Sequence, residues 1–258
     1  KEYDTMTCKI YAITHKECFY KMPKDYYPIQ VGKINTHLNL PYISDEIGDS
    51  IAHKNSNYCE LTAWYWLWKN EDLPDYVGLC HYRRFFVRKG NIFEGGAKLI
   101  TSEYVEKIMQ DYDIILPRKI SCGMTVKEFY YLHGEGRKKD IDEIERLISE
   151  KYPEYIDSMK DVFSSNEASY WNLAVMKKED YIEYCQWLFD ILFELEKRID
   201  ISDYTTAEAR IYGYLSEILI NVWVQKKQLR VHRNSIIFVD EKKWKNYLRK
   251  IRAGCFQK

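Results

Sequence analysis

The chain has 258 residues, which is long enough for one large α/β domain with a buried core. Basic and acidic residues balance at 39 each, so no overall charge favours binding to nucleic acid or to an acidic partner. Aromatic residues make up 16% of the chain, including 23 tyrosines. This composition fits either a carbohydrate-handling protein or a tyrosine-rich core.

Seven cysteines are scattered along the chain without a Cys-x-x-Cys pair, so neither a zinc-site spacing nor a disulfide framework is present. The pattern is typical of a reducing compartment. The apolar runs, such as Ile191 to Phe193, are far shorter than the roughly 18 residues that cross a bilayer. We therefore expect a cytosolic body.

Short runs rich in β-branched and aromatic residues predict strands, and longer runs with apolar residues at helical spacing predict helices. The strands are predicted at 8–15, 27–32, 76–80, 113–117 and 170–176, and the helices at 57–70, 102–109, 179–197 and 206–226. Their order predicts an α/β fold with a Rossmann-type, mostly parallel sheet flanked by helices and a more helical C-terminal part.

The sharpest local feature follows the apolar run at 76–80, where the chain continues as His81, Tyr82, Arg83 and Arg84. Parallel sheets bind ligands at the carboxyl ends of their strands. Two arginines and an imidazole at such an end can hold a pyrophosphate through charge-assisted hydrogen bonds. The alternative is a basic surface turn that pairs with acidic side chains.

The predicted helix at 57–70 begins with a capping-box spacing, since Glu60 stands three residues after Asn57. This spacing accounts for Glu60 without any ligand and favours the cap, and a ligand role for Glu60 is the alternative. Trp64 and Trp68 lie at helical spacing and are predicted to pack in the core.

Two pairs of aspartates could hold a metal ion, because paired carboxylates are the ligands that hard divalent cations prefer. They are Asp45 with Asp49, and Asp111 with Asp113. Both pairs lie in turn-like sequence, which favours loop or capping roles over a metal site.

Several long segments occur together in one order: YAITHK, YPIQVG, GDSIAHKNSNYCELTAWYWLWKN, YVGLCHYRRFF, DYDIILPRK, WNLAVMKKEDYIEYCQWLFDILFELEK and RIYGYLSEILINVW. Across residues 9–231, these segments resemble the capsular polysaccharide synthesis glycosyltransferase family, first catalogued as a domain of unknown function. The resemblance implies a GT-A-like fold and hexosyl transfer in a bacterial capsule or O-antigen pathway. For some members it implies galactofuranose transfer from UDP-galactofuranose.

The resemblance suggests a single domain in three parts: a nucleotide-sugar donor half at 1–119, an acceptor half at 120–240 and a basic amphipathic tail at 241–258. The implied acceptor is an oligosaccharide on a polyprenyl-diphosphate carrier. The tail could therefore rest on anionic lipid at the cytoplasmic face of the bacterial inner membrane, or it could be an ordinary helix docked on the domain. No nucleic-acid partner is expected.

The donor site is expected to include Thr14, His15 and Lys16, which end the first strand where GT-A proteins receive the nucleotide. Most GT-A proteins carry Asp-x-Asp after the central strand to bind a divalent metal, and here the residues 81–84 take that place. We expect cationic side chains to replace the metal at least in part, so that no cofactor beyond the UDP-sugar is firmly implied.

An inverting transfer needs a base that takes a proton from the acceptor hydroxyl. Glu217, in the segment RIYGYLSE, is the first candidate and shares a helix stripe with Arg210, a predicted acceptor contact. A structural ion pair between the two residues is the alternative. His133 is the second candidate, with Asp140 or Asp142 as its partner.

Asn172 is predicted either to orient the acceptor or to be a strand-end amide satisfied by the backbone. The rival to the enzyme hypothesis is a non-catalytic carbohydrate- or nucleotide-binding module. A cationic strand end combined with acidic candidates favours the enzyme, since a lectin needs no diphosphate site.

Overall fold

The computed structural model describes residues 7–18, 22–88 and 99–239. The strands of the described chain are β1 Cys8–Thr14, β2 Tyr26–Gln30, β3 Ile43–Ser44, β4 Tyr76–His81, β5 Arg84–Val87, β6 Ile114–Pro117, β7 Ile120–Ser121, β8 Glu167–Ala168, β9 Ala174–Lys177 and β10 Val231–Phe238. The helices are α1 Asn55–Tyr58, α2 Leu61–Asn70, α3 Ser102–Ile108, α4 Val126–Leu132, α5 Lys138–Lys151, α6 Ile156–Ser164, α7 Lys178–Arg198 and α8 Ile211–Lys226.

The main sheet runs in the order β3-β2-β1-β4-β5-β10-β6-β9, and β9 also pairs with β4. Strands β1, β2 and β4 are parallel, whereas β9 is antiparallel to both β4 and β6, and β10 is antiparallel to β5. The α/β class is therefore confirmed, but the expected mostly parallel Rossmann-type sheet is corrected to a mixed sheet. Strands β4, β5, β10, β6 and β9 form a closed ring of paired strands. Two of them, β9 and β10, belong to the C-terminal part of the chain.

Aromatic side chains fill the layer between the sheet and helices α2, α7 and α8. Trp64 is 1% exposed and packs against Tyr181 and Tyr184, while Tyr184 also contacts Trp223. The Tyr181 hydroxyl donates to the Trp64 carbonyl at 2.6 Å. The core role predicted for Trp64 is confirmed, and much of the aromatic content is core. None of the described helices combines the length and the apolarity required for a membrane span.

The strand register brings the chemically interesting residues to one edge of the sheet. Ile13 lies opposite His81 across the parallel β1–β4 pair, so both strands end at the same level. Strand β9 runs the other way and places Ala174 opposite Leu79, so that Asn172 precedes β9 at this edge. Segments distant in sequence therefore meet where β1 and β4 end.

The connection between α1 and α2 corrects the capping-box prediction. Asn57 lies inside α1, and its Nδ2 donates to the Ala209 carbonyl at 2.8 Å. Cys59 then turns the chain with φ 52° and ψ −129°, and α2 begins two residues later with no side-chain cap from Glu60. The sequence spacing fits a capping box, but Cys59 interrupts the helical backbone between Asn57 and Glu60.

Gly32, in the loop after β2, lies close against Asn55 of α1. Its φ of 67° is left-handed, and a Cβ at this position would lie 2.5 Å from Asn55 Oδ1. Asn55 in turn donates through Nδ2 to the Cys59 carbonyl at 2.8 Å and to Thr62 Oγ1 at 3.2 Å. A side chain at position 32 would therefore disturb the α1–α2 turn.

We predict that Gly32→Ala destabilises the protein more than Gly123→Ala. Gly123 has a similar φ of 70°, but a Cβ there would meet nothing within 4 Å, so its substitution costs only the left-handed strain, about 1–2 kcal/mol. Gly32→Ala adds the collision with Asn55, a further ~1–3 kcal/mol. Urea unfolding of both variants measures the difference, and equal losses would contradict the role of the Gly32–Asn55 contact.

Candidate active site

A cavity of about 260 Å³ lies at the sheet edge where β1 and β4 end. Its lining comprises Ile13, Thr14, His15, Val31, Asn55, Ser56, Cys59, Glu60, His81, Arg83 and Arg210. A larger cavity of about 360 Å³ between α6, α8 and β10 contains none of the predicted site residues. The smaller cavity is therefore the candidate site, and its lining residues come from segments far apart in sequence, from Ile13 to Arg210.

The segment 81–84 is a tight hairpin rather than a simple strand end. His81 pairs with Arg84 across the antiparallel β4–β5 junction, which leaves Tyr82 and Arg83 as the two turn residues. His81 and Arg83 line the cavity, whereas Tyr82 is buried with its hydroxyl 3.5 Å from His15 Nε2. His81 and Arg83 are therefore part of the cavity wall, whereas Tyr82 is buried beneath it.

The imidazoles of the site are uncharged near neutral pH. Burial lowers the pKa of His81 to about 3, and the neighbouring Arg84 and Arg83 act in the same direction. Burial and Lys16 likewise lower the pKa of His15. Burial and the adjacent cations thus disfavour a positively charged imidazole at this site.

Thr14 shapes the turn that presents the residues after β1. Its hydroxyl donates to the Lys16 carbonyl and accepts from the Lys16 amide at 3.1 Å. Lys16 Nζ lies 5.2 Å from the Tyr82 ring centroid, and the Arg83 guanidinium lies 5.0 Å from the same ring. Two cations from different strands thus share one aromatic side chain at the cavity rim.

Glu217 on α8 lies partly buried beside this edge. Its pKa is raised to about 7, mainly by burial and also by the nearby Glu60 carboxylate. The Trp171 backbone N–H and the Arg84 and Arg210 guanidinium groups oppose this increase. A carboxyl group with a pKa near neutrality can exchange a proton at physiological pH, as a general base must.

Arg210 lines the cavity at the start of α8, and its Nε donates to Cys59 Sγ at 3.1 Å. Its guanidinium group also lies 5.2 Å from the Tyr214 ring centroid. Among the described residues, the structure contains no ion pair between Arg210 and Glu217. The structural pair considered from the sequence is therefore wrong, and Arg210 is oriented by Cys59 instead.

Asn172 bridges α8 and the α1–α2 turn. Its Nδ2 donates to Glu60 Oε1 at 2.9 Å and to the Gly213 carbonyl at 3.1 Å, and its Oδ1 accepts from Ser216 at 2.9 Å. Asn172 and Trp171 both have positive φ, at 49° and 78°. The amide is satisfied by side chains and α8 backbone, while its predicted role as an acceptor contact stays a prediction.

His133 stands at the C-terminal end of α4 and is exposed, with its ring stacked on Phe129. The carboxylates expected beside it are engaged elsewhere. Asp140 accepts from Tyr130 and Tyr204, and Asp142 pairs with lysines at 127 and 138. The His133–Asp pairing is therefore wrong, because α5 directs both carboxylates to other partners.

One aspartate of each fallback metal pair is engaged by a protein contact. Asp113 accepts from Arg230 Nε at 3.0 Å, which lowers its pKa to about 2, and Asp49 accepts from the Tyr65 hydroxyl at 2.9 Å. Burial raises the pKa of Asp45 to about 6. Within residues 7–18, 22–88 and 99–239, no group of three or more His, Cys, Asp or Glu side chains is arranged for a metal ion.

At the hairpin, where the resemblance leads us to expect the counterpart of Asp-x-Asp, the exposed side chain is the Arg83 guanidinium, whose charge would repel a divalent cation. The predicted basic tail at 241–258 lies outside the described residues.

Sequence reasoning missed three polar residues of the cavity, namely Asn55, Ser56 and Cys59, and favoured a cap over a ligand role for Glu60. The capping-box spacing gave Glu60 a sufficient structural explanation. The polar run Asn55-Ser56-Asn57 directly before an apolar helix was the available signal, since a solvated segment at a sheet edge can line a cavity.

Comparison with solved structures finds a strong match to the WbbM bifunctional glycosyltransferase in its apo form, with 31% sequence identity and a TM-score of 0.83. The match covers 91% of this chain but only 46% of that chain, so the present chain spans about half its length. The mannosyltransferase Ktr4p from S. cerevisiae matches with 10% identity and a TM-score of 0.29, over 74% of this chain and 58% of its own. The second score is too low to support a common fold.

No curated protein matches the chain. Residues 9–228 match the family described as "Domain of unknown function (DUF4422)", which is 220 of the 258 positions and agrees with the family indicated by the ordered sequence motifs. The chain therefore belongs to this family.

Proposed function

We propose that this chain is a nucleotide-sugar-dependent glycosyltransferase. The observation that carries the proposal is that Arg83, Arg210 and Glu60 line one cavity, and that Glu217 is close enough to Glu60 and Arg210 for their charges to shift its pKa. A diphosphate leaving group needs positive charge, and sugar transfer needs a base. The likeness to the WbbM glycosyltransferase over 91% of the chain supports the same reaction class.

The proposed donor is a UDP-sugar whose diphosphate is neutralised by Arg83 and Lys16. Guanidinium groups suit this task, since they present several N–H donors in a fixed plane and stay charged. His15 and His81 are neutral and contribute hydrogen bonds rather than charge. Arg84 lies near both Glu60 and Glu217, so its charge compensates the carboxylates.

The proposed mechanism is an inverting single displacement with Glu217 as the base. Its carboxylate takes the proton of an acceptor hydroxyl while that oxygen forms a bond to the anomeric carbon of the donor. The bond between that carbon and the diphosphate oxygen breaks, and UDP leaves with the electron pair. Arg210 and Asn172 are proposed to lie on the acceptor side.

The finer substrate assignment rests on the family resemblance. We propose galactofuranose from UDP-galactofuranose as the donor sugar and a polyprenyl-diphosphate-linked oligosaccharide as the acceptor, in capsule or O-antigen synthesis at the cytoplasmic face of the bacterial inner membrane. The ordered motifs between residues 9 and 231 support this choice. A non-catalytic binding module would bind the nucleotide sugar without releasing UDP.

We predict that Glu217→Gln lowers the transfer rate about 10²–10⁴-fold, because an amide cannot take the acceptor proton. UDP affinity should remain within about twofold of the parent, since the cations that hold the diphosphate are unchanged. UDP release and calorimetric UDP binding measure the two effects. Glu183→Gln, which removes a surface partner of Lys227, is the control. Full turnover by Glu217→Gln would rule out Glu217 as the base.

The raised pKa of Glu217 predicts opposite effects of pH on activity and stability. Activity should rise with pH as this carboxyl loses its proton near pH 7. The folded protein holds the proton more tightly than the unfolded chain. The stability it contributes is therefore present below the ordinary carboxyl pKa and is lost as pH rises to about 7.

The stability change should not exceed about 1.4 kcal/mol per pH unit in this window. Urea unfolding between pH 4.5 and 7.5, compared with Glu217→Gln, isolates the contribution of this one group. The same slope in both proteins would contradict the assigned protonation.

We predict that transfer persists in EDTA, because side-chain cations are proposed to neutralise the diphosphate. Arg83→Ala should weaken UDP binding about 10–100-fold in EDTA, which is the loss expected for charge-assisted hydrogen bonds. Arg146→Ala, which removes a 70% exposed side chain paired with Glu143, is the matched control. Strict dependence of turnover on manganese or magnesium would show that the cations do not replace a metal.

A further inference from the structure

We propose that Glu60 binds the hydroxyl groups of the donor's sugar and so selects the transferred hexose. This inference rests on the proposed function of the same cavity. It gives a role to a carboxylate that the sequence spacing had explained as a helix cap.

Glu60 is the carboxylate that faces the cavity. It lines the cavity together with His81 and Arg83, whereas Glu217 is not among the lining residues of the described chain. The cavity thus has a cationic region at Arg83 of the hairpin and an anionic region at Glu60. These two regions match the two parts of a nucleotide sugar, a charged diphosphate and an uncharged polyol.

The Glu60 side chain is held at one oxygen only. Asn172 Nδ2 donates to Oε1 at 2.9 Å, and no donor within the described ranges forms a hydrogen bond to Oε2. An ionised carboxylate is an acceptor only, and hydroxyl groups are donors that it can bind. A diphosphate oxygen would be repelled at this position, so a sugar hydroxyl is the fitting ligand.

Backbone conformations with positive φ occur on both sides of the Glu60–Asn172 hydrogen bond. Cys59, directly before Glu60, has φ 52°, and Asn172 has φ 49°. Such conformations cost of order 1–3 kcal/mol each and persist where surrounding contacts enforce them. Here the Ser216 hydroxyl holds Asn172 Oδ1, and Arg210 holds the Cys59 sulfur. The contacts on both sides therefore orient the Glu60 carboxylate before any ligand arrives.

The experiment compares binding of UDP, UDP-galactofuranose and UDP-galactopyranose to the parent protein and to Glu60→Gln, by calorimetry without acceptor. UDP affinity should stay within about twofold, since UDP carries no hexose. The affinity for the UDP-sugar that the parent prefers should fall about 10–100-fold, the loss expected for hydrogen bonds to a charged group.

Glu71→Gln is the matched control, because Glu71 follows the other end of α2 and its Oε1 accepts from Lys9 and Tyr11 outside the cavity. This variant should bind all three ligands as the parent does. Glu60→Asp keeps the charge on a shorter side chain and should lose UDP-sugar affinity but not UDP affinity. The Glu60→Asp variant tests the inference even if Glu60→Gln does not fold.

Equal weakening of UDP and UDP-sugar binding would overturn the inference, since Glu60 would then contact the nucleotide or only support the cavity. Unchanged UDP-sugar binding in both Glu60 variants would also overturn it. A parent protein that binds no nucleotide sugar would instead contradict the proposed function, so the two failures are distinguishable.

Discussion

The pairing of β4 with β1 on one side and β9 on the other determines where the chemistry of this chain can take place. The parallel β1–β4 register ends both strands at one level, and the antiparallel β9 brings Asn172 to the same edge. Gly78 permits the close approach, since a Cβ there would lie 2.9 Å from Ile10 Cγ1. The hairpin at 81–84 and the turn at Lys16 are consequences of where these strands stop.

Electrostatics at this edge are local, because the chain as a whole has no net charge. Partial burial places cations and carboxylates in a medium where their mutual effects exceed those in water. Burial together with Arg84 and Arg83 lowers the pKa of His81, while burial together with Glu60 raises the pKa of Glu217 to about 7. One cluster thus supplies both positive charge for an anionic ligand and a carboxyl group able to exchange a proton.

Helix α8 is tied to the sheet edge by polar contacts instead of by packing alone. Asn172 contacts the Gly213 carbonyl and Ser216, and Asn221 Nδ2 donates to the Ser169 carbonyl at 2.9 Å. These contacts are buried, and a buried amide left without partners would cost about 1–3 kcal/mol. The network therefore sets the position of Glu217 relative to β9, and a shift of α8 would break several hydrogen bonds at once.

The sequence by itself determined the α/β class and the positions of β1, β4, α7 and α8, because apolar periodicity and ordered motifs are local properties. Only the tertiary structure decided the strand directions and ring closure, since short apolar runs do not encode which neighbour they join. It also separated Asn57 from Glu60 through a left-handed Cys59 and moved Asp140 and Asp142 away from His133. Several of these outcomes depend on partners more than 50 residues away in sequence, such as Asn172 for Glu60 and Tyr204 for Asp140, and spacing along the chain carries no information about them.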